Sequence, residues 1–367
     1  MTATGSSVRG PLRIALIGAG EVCEHKHLRA LPRVRGARVV ALADTDPARL
    51  QHVGDRYGIA ARFTNPFDCL DASVADIVGI LTPPASHHAL AIAALQSGRH
   101  VLVEKPLALS VGECDALVTA AAASRAVAMT GFHMRWHRLL QRARDIVVSG
   151  QLGRLESVRT IWNSPRPDRG TPPWKWQRVK GGGAIVELGV HLFDQWRFLT
   201  GSDIVDVHAR ARHDTRDDES AMITARLANG MLAEATVSER TSHEIEIEVA
   251  GDQGRLRVSC QRFDGLAVYA RHETAGMLAP RGRSIIRTMR ELPRGLARMR
   301  TLGDYGDSYR AQWQHLVDCV TNGVAPGCTI ADGRAATQVA LAAAASASSD
   351  RPWRVADAPP ELSPARA

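Results

Sequence analysis

The segment LRIALIGAGEV, residues 12–22, constrains this chain most: an apolar run ends on Gly18-Ala19-Gly20 and passes straight into an amphipathic stretch. Leu12–Ile17 reads as a strand and 22–34 as a helix, so the glycines must turn the chain tightly between them. Such a turn gathers backbone N–H groups at the positive end of a helix, a ready site for a pyrophosphate. The alternation then repeats. Strands are expected at 38–43, 77–81, His100–Val103 and 127–131, and helices at Pro47–Tyr57, 87–97 and Val111–Ala123. Strand–helix repetition of this kind builds a parallel, doubly wound sheet.

Beyond Gly131 the rhythm changes. A helix is expected at 138–149 and an extended stretch at 155–162, followed by a Pro/Gly/Trp-rich loop over 164–183 and a helix opening near Ala184. Strand-like segments follow at Ile204–Arg212, Ser220–Leu227, 231–239, 244–250 and 255–259, separated by turn signals such as Asn229-Gly230. Consecutive strands without helices imply a largely antiparallel sheet. Helical segments at 309–322 and 332–348 close the fold. The 367 residues fit two domains. The expected class is α/β: a flexible start over 1–11, a doubly wound dinucleotide-binding domain over 12–131, an α+β domain with a large, mostly antiparallel open sheet over 132–355, and a flexible tail over 356–367.

Net charge of +8 comes from an arginine excess, densest in RGRSIIRTMRELPRGLARMR, residues 281–300. A positive field draws anionic partners. These arginines are not interleaved with stacking aromatics and no nucleic-acid motif accompanies them, so no nucleic-acid partner is expected. The six cysteines, at 23, 69, 114, 260, 319 and 328, form no CxxC pair and no His-spaced metal pattern. They read as reduced, buried thiols, with no metal expected. The start MTATGSSVRG lacks the apolar core of a signal peptide and no run approaches a membrane span, so a cytoplasmic protein with no membrane partner is expected.

The cofactor constellation consists of Gly18, Ala19 and Gly20, with Glu21 and Val22 opening the helix. Cys23 takes the third position of the GxGxxG pattern, where a small residue can replace the glycine that eases helix-on-strand packing. Asp44 ends the second strand, followed by Thr45. A carboxylate there accepts hydrogen bonds from a ribose diol and repels a 2′-phosphate, which selects NAD over NADP. The competing role for Asp44 is a helix N-cap.

Two further segments are more specific: TPPASHHALAIAALQSGRHVLVEKPLALS, residues 82–110, and GGGAIVELGVHLFDQWRFLTG, residues 181–201. Together they resemble the Gfo/Idh/MocA oxidoreductase family, over about residues 12–355. The resemblance implies that Glu104-Lys105-Pro106 ends a strand with Lys105 facing the nicotinamide, and that the loop of Thr82, Pro83 and His87 passes beside the adenosine side. A cation at Lys105 would stabilise the charge that develops on the substrate oxygen as hydride leaves; the alternative is a surface lysine paired with Glu104. Glu187 and His191, four apart on one expected helix, share a face. An imidazole suits a general base, the role the resemblance gives His191, against that of a buried helix histidine. The family usually carries Asp where this chain has Glu187, whose implied role is to orient His191 or hold a substrate hydroxyl. GFHMR, residues 131–135, resembles a segment bordering the substrate pocket, with His133 in place of the commoner Asn and Arg135 beside it. Trp174 and Trp176 offer indole faces for a sugar ring, or packing for a long loop.

The activity so implied is NAD-dependent hydride transfer at a CH–OH group of a sugar, inositol or aminocyclitol. An NAD-assisted glycosidase or lyase on the same scaffold is the alternative. A cofactor-sensing regulator would have no need of Lys105, Glu187 and His191 together. The resemblance also implies a homodimer or homotetramer paired through the open sheet face.

Overall fold

The computed structural model describes residues 10–72, 74–298 and 303–365; the expectation of a flexible start falls almost wholly outside them. Six parallel strands, β1 (Leu12–Ile17), β2 (Ala37–Ala43), β3 (Ala61–Phe63), β4 (Ile77–Ile80), β5 (His100–Val103) and β6 (Ala128–Thr130), form a sheet in the order β3-β2-β1-β4-β5-β6. The direction of winding reverses at β1, between β2 and β4, so a crevice opens beyond the carboxyl ends of these strands. The first crossover departs from the expected helix. A π turn, Cys23–His27, runs into α1 (Leu28–Ala30) and a 3-10 turn, Leu31–Arg33. The remaining crossovers are α2 (Pro47–Tyr57), α3 (Pro66–Asp71), α4 (His87–Gln96) and α5 (Val111–Ala123). Asp46, not Asp44, caps α2, accepting from the N–H groups of Ala48 and Arg49.

The second half contains α6 (Arg138–Val148), β7 (Leu155–Asn163), α7 (Ala184–Glu187) and α8 (Gly189–Thr200). After these come β8 (Ile204–Arg212), β9 (Ser220–Leu227), β10 (Leu232–Ser238), β11 (Glu244–Gly251), β12 (Gly254–Ser259) and β13 (Leu266–Ala270). The chain closes with α9 (Leu278–Arg298), α10 (Gly303–Asn322), α11 (Ile330–Ser349) and β14 (Trp353–Arg354). The second sheet runs β13-β12-β11-β7-β10-β9-β8-β14 and is antiparallel throughout except where β7 lies parallel to β10. Buried and exposed positions alternate along β9, as period-two side chains require when one face is covered. The covering layer is α8 and α11, whose Leu192, Phe193, Trp196, Ala340 and Ala343 join the strand residues in one core.

Three features differ from the sequence reading. The helix expected from Ala184 breaks at Leu188 into α7 and α8. Residues 281–298 of the basic stretch lie in a 21-residue helix, α9. The tail is tied down: Val111 N–H donates to Pro360 O, Glu361 bridges Ser110, and Leu362 packs on the core.

Helix α10 crosses back to complete the first core, burying Trp313, Leu316 and Val317 against β1 and β4. Gly79 in β4 makes room for it, because a Cβ there would stand 2.9 Å from Trp313 Cη2. Among the described residues, no helix is long and apolar enough to cross a membrane.

Candidate active site

Gly18 sits at φ 98°, and a Cβ on it would lie 2.8 Å from the backbone of Leu81, so only glycine lets β1 and the end of β4 approach this closely. Gly20 faces open space instead, leaving a hollow over the first helical turn that a side chain would fill. The Asp44 carboxylate reaches across from β2, accepting from Ala19 N–H at 2.7 Å and Asp46 N–H at 2.9 Å. An acidic group therefore stands at the edge of an N–H-lined hollow, a donor and charge set that fits the pyrophosphate and ribose of a dinucleotide. Thr45 follows Asp44 directly, ahead of α2.

Just beyond this turn a cavity of about 620 Å³ lies between the two halves of the molecule. Glu21, Val22 and Lys26 line it on one side, Glu104 and Lys105 at the end of β5, and Glu187, Leu188 and His191 at the break between α7 and α8. Its remaining wall comes from Arg138 of α6, from β7 and the loop after it, from the start of β11, from Cys260, Gln261, Arg262 and Phe263 after β12, and from α9 and the start of α10.

Lys105 donates to the main-chain carbonyl of Glu187 at 2.9 Å, with the Glu187 carboxylate 4.0 Å away. That carbonyl is within reach because the helix breaks at Leu188. Burial pulls the Lys105 ammonium below its usual range, against the pull of Glu187 and Glu104. Glu187 Oε1 takes Arg166 at 2.9 Å and Lys175 at 3.2 Å. Burial alone would raise the Glu187 carboxyl, but Lys175, Lys105 and Arg166 hold it well below the ordinary carboxylate range. Arg166 also holds Glu239 at 2.9 Å, where burial and the like charge of Glu187 push that carboxyl up. Glu187 Oε2 is buried without a hydrogen-bond partner. Glu187 thus meets cations rather than His191, and the expected carboxylate–imidazole contact is not among its bonds.

His191 stacks on Trp162, 4.8 Å between ring centroids, and meets His133 edge-on at 5.5 Å. Its Nδ1 has no hydrogen-bond partner. Burial, with Lys105 and His133 nearby, depresses its pKa well below 6.5, so the ring is neutral at pH 7. His133 is stacked on Tyr309 at 4.0 Å and bonded through Nδ1 to Ser308 Oγ at 2.7 Å. The Ser308 hydroxyl is already donated to Tyr305 O, so His133 Nδ1 is the donor.

Glu104 belongs to a relay that residue patterns did not announce. Trp313 Nε1–H donates to His27 Nδ1 at 2.9 Å, which leaves His27 Nε2–H to donate to Glu104 Oε1 at 3.1 Å. Glu104 Oε2 accepts from Lys105 N–H, so the strand end bearing Lys105 is anchored from α10 through the π turn.

Five expected contacts fall elsewhere. His133 is buried and off the cavity wall, backing His191, Tyr305 and Tyr309 instead. Arg135 is buried against Asp194 and Asp332 and ties α8 to α11, away from the cavity wall, because a guanidinium in that core needs both carboxylates. Trp176 lies under the Arg216 guanidinium, 3.3 Å from its ring centre, and Trp174 packs beside Lys175. Lys175, rather than either indole, lines the cavity. His87 is fully buried, its ring nitrogens 2.9 Å from Pro106 O and 2.8 Å from Thr82 O. It rivets the loop of Thr82 and Pro83 to the turn after Lys105. Thr82 Oγ1 in turn accepts from Ser86 Oγ, and Pro83 O from Ser86 N–H. Among the described residues, no group of three His, Cys, Asp or Glu side chains could hold a metal ion.

Residues 12–132 match the family model described as an oxidoreductase family with an NAD-binding Rossmann fold, and residues 140–257 match the GFO/IDH/MocA C-terminal domain. The scyllo-inositol 2-dehydrogenase (NAD(+)) of Bacillus subtilis is 25% identical over 342 residues, 90% of this chain and 93% of that protein. The myo-inositol 2-dehydrogenase of Thermotoga maritima is 26% identical over 254 residues, 67% of this chain and 74% of that protein. Among solved structures, an oxidoreductase domain protein from Kribbella flavida superposes with a TM-score of 0.79 at 25% identity, covering 94% of this chain and 99% of the other. A levoglucosan dehydrogenase in complex with NADH and L-sorbose shares the fold at 21% identity, with a TM-score of 0.79 and the same coverage. With both halves matched, and Lys105 and His191 gathered on one cavity that reaches Glu21 and Val22 beyond the glycine turn, the chain belongs to the Gfo/Idh/MocA family of NAD-binding oxidoreductases.

Proposed function

We propose that this protein is an NAD-dependent dehydrogenase that moves a hydride between the nicotinamide and a secondary alcohol carbon, or the matching ketone, of a sugar, inositol or aminocyclitol. One observation carries the reading: Lys105, Glu187 and His191, far apart in sequence, line a single cavity that also reaches Glu21 and Val22 beyond the glycine turn. The relatives named for inositol oxidation support the substrate class. A bound dinucleotide supplies the hydride acceptor. Asp44, already oriented by two backbone N–H groups, favours the 2′-hydroxyl of NAD over the 2′-phosphate of NADP.

In this reading His191 is neutral and takes the alcohol proton in oxidation or returns it in reduction. The Lys105 ammonium, desolvated and fixed on the Glu187 carbonyl, stabilises negative charge on the reacting oxygen. Glu187 Oε2, buried and unpartnered, accepts from a neighbouring substrate hydroxyl. His133 and Trp162 hold the plane of the His191 ring.

The test is NAD titration followed by absorbance at the NADH band with a panel of inositols, hexoses and glycosides. Stoichiometric NADH is the expected result, with Lys105→Ala binding NAD normally but losing turnover. Turnover without net NADH assigns the scaffold to transient oxidation in a glycosidase or lyase. Near-normal activity of Lys105→Ala removes the lysine from the chemistry.

A further inference from the structure

The cavity is larger and more cationic than the three reacting groups require. Beyond them it runs toward the first turn of α10, where α9 closes it. Helix α9 is held there by close packing at Gly295, where a Cβ would stand 2.8 Å from the Phe263 ring, and by Arg287 and Thr288 bonded to Asp264. That seating puts Arg294 and Arg298 on the cavity wall.

Eight lysine and arginine side chains line this cavity, and six of them meet a carboxylate within 4.0 Å. The other two, Lys26 and Arg294, have no ion pair among the described residues. Both stand at the start of α10. The Lys26 ammonium lies 5.3 Å from the centre of the Tyr305 ring, half-buried, with burial lowering its pKa and Glu21 only partly offsetting it. Arg294 is exposed on the cavity wall beside Arg138 and Arg298; desolvation and then their like charges lower its pKa, with Asp304 and Glu291 partly offsetting them. The carboxylate at this end, Asp304, is already taken by Arg138 at 2.9 Å and Arg298 at 2.6 Å. Asp304 and Glu291, which also holds Arg138 at 2.9 Å, act on Arg294 only at longer range, with no ion pair among the described residues.

Two cations without ion pairs among the described residues, Lys26 from the π turn beside Tyr305 and Arg294 from α9 near Asp304, line one concave site and add to its positive potential. A guanidinium and an ammonium so placed match an oxyanion better than a neutral hydroxyl. We propose that the substrate carries an oxyanion, a carboxylate or a phosphate, on the part of the sugar or cyclitol away from the reacting carbon, and that Lys26 and Arg294 take it. The inference rests on the dehydrogenase reading for the reacting end and adds the charge at the other. It names no new step: hydride and proton leave the same alcohol as before, and the oxyanion is bound unchanged.

The test compares ring-matched compounds as substrates of the full-length protein with NAD: D-glucose, D-glucuronate and D-glucose 6-phosphate. The expected result is kcat/KM higher for an acidic member than for the neutral one by roughly tenfold or more, expressed in KM. Arg294→Ala lowers that acid-to-neutral ratio by a similar factor, and so does salt near about 0.5 M, which screens the attraction. The carboxylate and phosphate arms decide which oxyanion fits. A ratio near one, or one unchanged by Arg294→Ala, overturns the proposal while leaving the dehydrogenase intact. Lys26→Met separates the other occupant of that lysine: weaker NAD binding with an unchanged ratio assigns it to the dinucleotide and removes it from this subsite. If NAD binds and none of these three compounds yields NADH, the wider panel of inositols, hexoses and glycosides judges the dehydrogenase reading separately. Calorimetric binding of D-glucuronate and D-glucose 6-phosphate to the NAD complex then judges the subsite, and binding by neither overturns it.

Discussion

Glu187 stands at the electrostatic centre of the site, with three cations within 4.0 Å of Oε1 and its main-chain carbonyl on Lys105. Glu187→Gln leaves Arg166, Lys175 and Lys105 short of a counter-charge in a buried network, and is expected to cost about 3 kcal/mol of stability, read by chemical denaturation. The pH sign follows from its lowered pKa. The stabilisation is complete above the unfolded value of 4.5 and is lost as pH falls toward about 2, so the gap between wild type and Glu187→Gln should narrow through that window. His191 is depressed below 6.5, which keeps the base form available at acidic pH: the acid limb of kcat/KM for alcohol oxidation should fall below pH 6.5, and a limb above it would contradict the burial argument. The motifs made Lys105, Glu187 and His191 legible in the sequence because each carries chemistry at a fixed spacing. Arg166, Lys175 and Lys26 were not, since a cation in a loop or on a turn has no period, and only the fold shows which ones face inward. The two tryptophans misled for the converse reason: an aromatic in a long loop fits packing as well as a sugar ring.

At the level of elements, the strands were readable almost throughout, since β8 and β9 keep an apolar alternation over full-length strands. Short β3, with three residues, has no period to read. Helix α9 escaped because Pro293 and a high density of arginine break the usual helix signature, and its apolar side chains, among them Ile285 and Met289, lie exposed. The π turn after Gly20 was equally invisible, yet it decides where His27 points. Removing the indole N–H with Trp313→Phe keeps most of the packing and leaves buried His27 Nδ1 without its donor. The expected cost is roughly 1–3 kcal/mol, with kcat falling more than NAD affinity, because the relay ends on the Lys105 backbone rather than on the glycine turn. Equal losses in both would mean that the π turn, not the strand end, depends on Trp313.

Across the whole molecule, the boundary near residue 131 marks the end of the parallel strands but not the end of the core they build. Trp313, Leu316 and Val317 of α10 cover one face of that sheet, and Ile330 at the start of α11 packs into the cluster on the other. No local pattern announces this return, because α10 reads as an ordinary amphipathic helix whose partner lies about three hundred residues back in the chain. Residues 12–131 on their own would therefore expose β1 and β4 at Leu16 and Gly79 and leave His27 without its indole donor. The expected outcome is a fragment that aggregates or binds apolar dyes, while the intact chain unfolds in one calorimetric transition shared by both sheets. Two separate transitions, or a soluble fragment that binds NAD with full affinity, would show that the sheets are energetically independent and that α10 is a passive lid. The coupling has a functional side: the cavity lies between the two sheets, and the same helix that seals the first core carries Asp304 and Tyr305 to its wall, so the geometry at Lys105 and the charge at Arg294 are set by one element.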